Sequence, residues 1–407
     1  MFKVSKLLPL VAVASLLVSA GCSSRAAEDA EDAASSGPIK IGLVAILSGP
    51  YAEIGEAHKR GAELAVEQIN ASGGIDGRQV ELVIKDEKGD PETSVQMARE
   101  LLGEGVNLIA GYTLDPDCLA ASPIVSDGGG VLLGLSCQGD VLTQDSQTDG
   151  YFQIAPSNSM LSRATAKVAD DTGLANWQGI GPDYDFGREV WTRFSDALTV
   201  GKPGKDVYVP LDATQVSPFI NSLLAELPKD SAKNTGLFMS TFSATTIGLA
   251  KQGESVGFFD RYGAVLNLGG STPTAEAMKA DTPLMTFIYD YFDEAYDNAV
   301  NTEFVDGYRS AHSARPNAWA YEGYAAILAF KAAILEAGSS DAAKVRAVMP
   351  GLSFDGPKGT LQFRAEDHLL MSPVTVWTVE GDASQEEGFR IVESRSVPAD
   401  LVAPSVK

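Results

Sequence analysis

Residues 39–47, Ile-Lys-Ile-Gly-Leu-Val-Ala-Ile-Leu, form a nearly unbroken apolar run rich in branched side chains, and Ser48-Gly49-Pro50-Tyr51 ends it. A run of that kind is expected of a central parallel strand covered on both faces. From Ala52 to about Asn70 the apolar positions Ile54, Ala57, Gly61, Leu64, Ala65 and Ile69 recur at helical spacing, and Ser72-Gly73-Gly74 stops the helix. The βα unit then repeats. Gln79 to Asp86 alternates as a strand, Asp90-Pro91-Glu92 offers a cap and a first-turn proline for the next helix, and Val106 to Ala110 reads as the third strand. Pro116 to Ser126 follows as helix, Gly130 to Leu135 as strand, and Tyr151 to Ile154 as a strand leading towards a second lobe. Alternating β and α elements demand parallel pairing with right-handed crossovers, so the fold class is α/β.

A second set begins near Gly181-Pro182-Asp183-Tyr184, a short echo of Gly49-Pro50-Tyr51. Strands are expected near Val207, at Leu237 to Met239 and at Ala264 to Leu268, with helices near Phe219 and Ile247. The segment Pro283 to Gly338 reads as mostly helical, and Gly359 to Phe363 and Val374 to Val379 read as late strands. The 407 residues suffice for two lobes of ordinary domain size. No low-complexity block separates them, so several short crossovers are expected to join them.

The N-terminus reads as an export signal over residues 1–21. Lys3 and Lys6 precede the apolar run Leu7 to Val18, and Ser19-Ala20-Gly21-Cys22 follows. Small residues before a lone cysteine suit lipidation of Cys22, although Ser19 stands where such sites usually carry a larger apolar residue. Ordinary cleavage after Ala20 is the alternative. Residues 22–38 then form a Ser/Ala/acidic tether. No later stretch is apolar for long enough to span a bilayer. Loss of Lys3 and Lys6 takes the formal charge from -23 to -25, with no basic cluster, which makes nucleic acid and anionic lipid surfaces poor partners. The remaining cysteines, Cys118 and Cys137, are an even pair in a compartment where disulfides persist. A bridge is expected, with free buried thiols as the alternative.

The blocks IKIGLVAILSGPYAEIGEAHKRGAELAVEQINASGGIDGRQVELVIKDEKGDP, NLIAGYTLDPDCLAASPIVSDGGGVLLGL, PDYDFGREVWTRF, NAWAYEGYAAILAFKAAI and FDGPKGTLQF together cover much of residues 39–380. They resemble the type I periplasmic binding proteins of branched-chain amino acid ABC transporters, the leucine/isoleucine/valine-binding family. The resemblance implies two Rossmann-like lobes joined by three hinge crossings, with ligand held between strand C-termini and helix N-termini, where unpaired N–H groups are available. The expected boundaries are 39–155 plus 274–351 for lobe 1 and 156–273 plus 352–407 for lobe 2.

By that resemblance the ligand-contact loops carry Ser48 and Tyr51, then Tyr112, Thr113 and Asp115, then Ser136 and Gln138. In the second lobe they carry Tyr184, Phe242 and Gly270. The 48–51 turn also has a plain reading, a βα turn shaped by Gly and Pro. Asp115 stands where the family places a small hydroxyl residue for the ligand carboxylate. An ionised Asp would repel that group, so either Thr113 serves or the ligand is no ordinary α-amino acid. Asp115-Pro116 also reads as an N-cap with an N1 proline, and both readings stay open. The acid that relatives use for an ammonium group is missing from Asn267 to Ser271. Trp319 and Tyr321 open a helix whose aromatics are expected in the core.

The histidines, His58, His312 and His368, lack metal-ligand spacing, and no Gly-Lys-Ser/Thr loop, paired-His motif or serine elbow is present. Neither a cofactor nor a metal nor catalysis is expected. The expected function is that of an exported, lipid-anchored capture subunit that delivers a small molecule to ABC permease subunits. The alternatives are a ligand-sensing module for a membrane receptor, or a binding protein for a non-amino-acid ligand such as an amide or aromatic compound.

Overall fold

The computed structural model describes residues 37–406 apart from 50, 212, 214 and 228–231. The export signal, Cys22 and most of the tether lie outside the described residues. From Ile39 onward the chain is one compact unit built on two main sheets.

The first sheet contains β1 (Ile39–Ala45), β2 (Val80–Asp86), β3 (Leu108–Gly111), β4 (Val131–Gly134) and β5 (Tyr151–Gln153), in the order β2-β1-β3-β4-β5. Every pair is parallel, with Ile39 opposite Val80 and Leu108 opposite Val131. Parallel pairing needs crossovers, supplied by α1 (Ala52–Ala71), α2 (Pro91–Gly103) and α3 (Asp115–Asp127). Helix α1 buries Ile54, Leu64 and Ile69 on one stripe and ends where Gly73 and Gly74 take φ of +100° and +83°, a region closed to most side chains. Asp90 caps α2 by accepting from the Thr93 N–H at 2.8 Å, with Pro91 at the first helical position.

The second sheet runs through β6 (Asn176–Pro182), β7 (Lys202–Val209), β8 (Thr235–Met239), β9 (Ala264–Leu268), β10 (Met285–Tyr289), β14 (Val374–Gly381) and β15 (Phe389–Val397). Its order is β15-β14-β10-β9-β8-β6-β7, parallel except where β14 and β15 join antiparallel. Helix α4 (Asn158–Asp171) precedes its first strand, β6, and α5 (Asp185–Ala197), α6 (Ser217–Glu226), α7 (Ser243–Glu254) and α8 (Thr272–Met278) follow β6, β7, β8 and β9 in turn. Aromatic packing fills its core: Phe194 stacks on Phe238 at 4.5 Å, and Trp377 lies between Phe287 and Phe292.

The chain then returns to the first lobe through α9 (Ala299–His312), α10 (Ala318–Ala337) and α11 (Ala342–Val348). Helix α10 lies directly on α1, and two glycines permit the approach. A Cβ on Gly61 would sit 1.8 Å from the Ala320 carbonyl oxygen, and one on Gly323 would sit 2.1 Å from that of His58. A small sheet of β11 (Ser353–Gly356), β12 (Gly359–Phe363) and β13 (Leu370–Met371) sits beside β5, to which Leu369 bridges. A final short helix, α12 (Ala399–Val402), closes the chain.

Two expectations are corrected here. Residues 285–289 are a strand inside the stretch read as helical. The five-residue run Met-Thr-Phe-Ile-Tyr is too short to carry its own periodicity, and pairing with β9 and β14 decides its state. The second-lobe sheet therefore extends to Tyr289, past the expected boundary at 273, while residues 353–371 pair beside the first sheet although they were assigned to lobe 2. The chain passes between the sheets after Gln153, after Tyr289 and before Val374.

Candidate ligand-binding cleft

In both sheets the loops leaving the carboxyl ends of the strands converge on one cavity with an empty volume of about 570 Å³, open mouth included. The first lobe contributes Tyr51, Ile54, Thr113, Leu114, Asp115, Ser136, Gln138 and Trp319; the second contributes Tyr184, Phe186, Phe242 and Gly269, and Tyr289 ends β10 between them. Contacts also run directly between the lobes. The Tyr51 and Phe242 rings lie 6.3 Å apart, the Ser243 hydroxyl donates to Glu53 at 2.5 Å, and the Gln138 side-chain amide donates to the Tyr289 hydroxyl at 3.2 Å.

Of the residues expected in this site, Tyr51, Thr113, Asp115, Ser136, Gln138, Tyr184 and Phe242 line the cavity. Three do not. The Ser48 hydroxyl donates to Asp86 at 2.7 Å, and Asp86 also accepts the Leu47 N–H, so Ser48 closes the turn after β1. Tyr112 is fully buried among Val44, Ile109 and Leu132, with its hydroxyl donating to the Ser94 carbonyl and its backbone at φ +68°. Gly270 lies against Phe287, where a Cβ would come within 2.1 Å of the ring, and Gly269 lines the cavity in its place.

Trp319 is a core residue as expected, only 4% exposed, and it also forms part of the cavity wall. Tyr289 could not be seen from sequence while β10 was read as helix. Phe186 was legible, since it sits two residues after Tyr184, and Ile54 lies on the first turn of α1.

Asp115 is not the N-cap of α3. Leu114 holds that position, and Asp115 is the first helical residue. Its Oδ1 instead accepts the backbone N–H groups of Gln138 at 2.7 Å and Gly139 at 2.9 Å, tying the start of α3 to the loop after β4. The Cys118–Cys137 disulfide joins the same two segments. Burial pushes the Asp115 carboxyl above its ordinary value, and the two N–H groups oppose that rise.

Beneath the cavity floor Ser136, His58 and Glu322 are in mutual contact. His58 Nε2 lies 2.9 Å from both the Ser136 hydroxyl and Glu322 Oε2, and the Ser136 hydroxyl donates to Glu322. Burial lowers His58 to about 3 and, acting on Glu322, raises it to about 8, so at neutral pH both are uncharged and the pair is not ionic. A nucleophile relay would need the acid on the far ring nitrogen to orient the imidazole. Here acid and hydroxyl share Nε2, and the imidazole is too weak a base. Deeper still, the Lys358 ammonium donates to Asp290 Oδ1 at 2.6 Å and to its carbonyl at 2.7 Å, both side chains fully buried. That pair joins the β11–β12 turn to the segment leaving β10. Among the described residues no cluster of three His, Cys, Asp or Glu is placed to hold a metal ion, and no helix is long and apolar enough to cross a membrane.

The family profile described as Periplasmic binding protein matches residues 38–385. The chain belongs to the periplasmic binding protein family. The family is one of solute-binding proteins, not of enzymes. A leucine-, isoleucine-, valine-, threonine- and alanine-binding protein from Pseudomonas aeruginosa is 24% identical to this periplasmic binding protein over 369 residues, covering 86% of this chain and 92% of that one. The amino acid ABC transporter substrate-binding protein of Pseudomonas fluorescens shares the fold with a TM-score of 0.79 at 20% identity, over 91% of this chain and 99% of that one. A solute-binding protein of an ABC transporter from R. palustris, solved with benzoate, matches with a TM-score of 0.77 at 19% identity, over 91% and 100% of the two chains.

Proposed function

We propose that this periplasmic binding protein is the capture subunit of an ABC importer, held at a membrane by lipid on Cys22, which closes its lobes on a small amphipathic molecule and presents it to permease subunits. The observation that carries the reading is the cavity itself, walled by strand-end loops of both sheets, so that a guest touches both lobes only when they are together. Binding then shifts the population towards the closed form, by as much as the guest's differential affinity for it. The named solutes of the relatives, aliphatic amino acids and an aromatic acid, support a small molecule with an apolar body.

A thermal-shift screen of the purified protein against amino acids, amides, aromatic acids and amines tests capture, since a ligand bound only by the folded form raises the melting temperature. X-ray scattering tests closure: an unchanged radius of gyration on saturation with a tight ligand refutes it. Release from membranes on Cys22→Ala, with a diacylglyceryl-modified Cys22 in the wild type, tests the anchor.

A further inference from the structure

Donor groups that could hold a ligand carboxylate are largely committed within the protein. The backbone N–H groups of Gln138 and Gly139 form a ready anion cradle at the cleft, and Asp115 Oδ1 already occupies it. The Ser136 hydroxyl donates to Glu322, and the Gln138 amide donates to Tyr289. Among the lining side chains the Thr113 hydroxyl is a buried polar group with no hydrogen-bond partner among the described residues.

Charge points the same way. Among the described residues the lining includes no Lys, Arg or His, and its one carboxylic acid is Asp115, whose Oδ2 takes no hydrogen bond among them. Tyr51, Leu114, Tyr184 and Phe242 are the N-cap residues of α1, α3, α5 and α7, so four positive helix ends face the cavity. Acids already answer them: Glu53 in the first turn of α1, Asp115 and Asp117 in α3, and Asp185 in α5. At α7 the Ser243 hydroxyl donates to Glu53. A guest carboxylate would meet helix ends that are already neutralised, beside a like charge.

A cation would meet the opposite. Phe186 lies 5.7 Å from Tyr184 and 6.4 Å from Phe242, and Phe242 faces Tyr51 across the cleft, so the rings form a cage with Trp319 on the far wall. Aromatic faces attract an ammonium within about 6 Å of the ring centre, most strongly when it is desolvated. We infer that the cleft takes a cationic ligand with an apolar body, an aryl- or alkylammonium or a quaternary ammonium compound, with Asp115 as the counter-charge and the rings as its cage. The inference rests on the reading of this cavity as the capture site and names the chemical class captured.

The test is a titration of the purified full chain followed by Trp fluorescence, to which Trp319 contributes from the cavity wall, and by thermal shift. The probes are tetramethylammonium, phenethylammonium, L-leucine and benzoate. Phenethylammonium is expected to saturate both signals, and Asp115→Asn, which keeps an oxygen acceptor for the Gln138 and Gly139 N–H groups but loses the charge, is expected to weaken it about tenfold or more. A melting temperature of the unliganded variant close to wild type shows that the loop has kept its shape. If the variant proves unstable, Phe186→Leu, which removes a cage ring from the other lobe, is expected to weaken phenethylammonium about tenfold while leaving the fold intact.

Tighter binding of L-leucine or benzoate than of either ammonium probe overturns the cationic class while leaving capture in this cleft standing. So does an unchanged ammonium affinity in Asp115→Asn. Failure of both ammonium probes to saturate at millimolar concentration also overturns the class, and a hit elsewhere in the broader screen then keeps the capture function.

Discussion

The two walls of the cleft are built on different principles. On the first-lobe side, polar groups are fixed from behind: Asp115 by two backbone N–H groups, Ser136 by Glu322 and His58, and the α3 and 136–139 segments by a disulfide. On the second-lobe side Tyr184 and Phe242 are partly exposed rings carried on helix N-caps, with no disulfide among the described residues tying their loops together. The rigid wall sets which charge is welcome, and the aromatic wall supplies area. Changes that break these ties on the first wall should therefore cost stability as well as binding, whereas changes on the second should cost binding alone.

The largest effect is expected where the walls are joined. Lys358→Met leaves Asp290 without its cation in a fully buried site, and the expected loss is about 3–5 kcal/mol by urea unfolding at neutral pH. Burial holds Asp290 up at about 7, so the loss should shrink in mild acid, where Asp290 can lie neutral. A loss equal at all pH values would mean packing, not charge, is at stake. Next comes Cys118→Ser with Cys137→Ser, which opens a loop of sequence separation 19 and should cost about 3 kcal/mol, seen as a lower melting temperature. Phenethylammonium affinity should fall with it, because Asp115 and Gln138 sit on the freed segments.

On the opposite wall Phe242→Ala is expected to lower that affinity about tenfold to a hundredfold in calorimetry, with unfolding unchanged to within about 1 kcal/mol. A large stability loss there would erase the contrast between the walls.

The smallest effect is on pH dependence. Glu322 is raised from 4.5 to about 8 in the fold, so between those values the folded state holds a proton that the unfolded chain has lost, and stability falls as pH rises. His58, lowered from 6.5 to about 3, acts with opposite sign between those values and cancels much of this up to pH 6.5. Between pH 7 and 8 Glu322 is expected to contribute a decline of about 1 kcal/mol, which Glu322→Gln should remove, while Asp117 and Asp290, each raised to about 7, together contribute somewhat less over the same range and should persist in the variant.

Read alone, the sequence determined much of this protein. The βα alternation from Ile39, the helix stops at Gly73 and Gly74, and the loops that carry Tyr51, Thr113, Ser136 and Tyr184 are local signals, written in side-chain periodicity and turn residues within a few positions of each other. Such signals suffice for the α/β class and for naming the strand-end loops. They do not reach side-chain partners far along the chain. Whether residues 285–289 form helix or strand was decided by neighbours 20 and some 90 residues away, and that the core residue Trp319 also reaches the cleft wall by the packing of α10 on α1.

The role of Asp115 was decided in the same way. Its sequence context fits a helix cap and also a ligand contact, and the Gln138 and Gly139 N–H groups, more than 20 residues on, are what hold it. Local conformation follows from nearby sequence because sterics and hydrogen bonding act over a turn or two. The charge a cleft prefers depends on which donors and acceptors remain unspent, and that is settled only when distant segments meet.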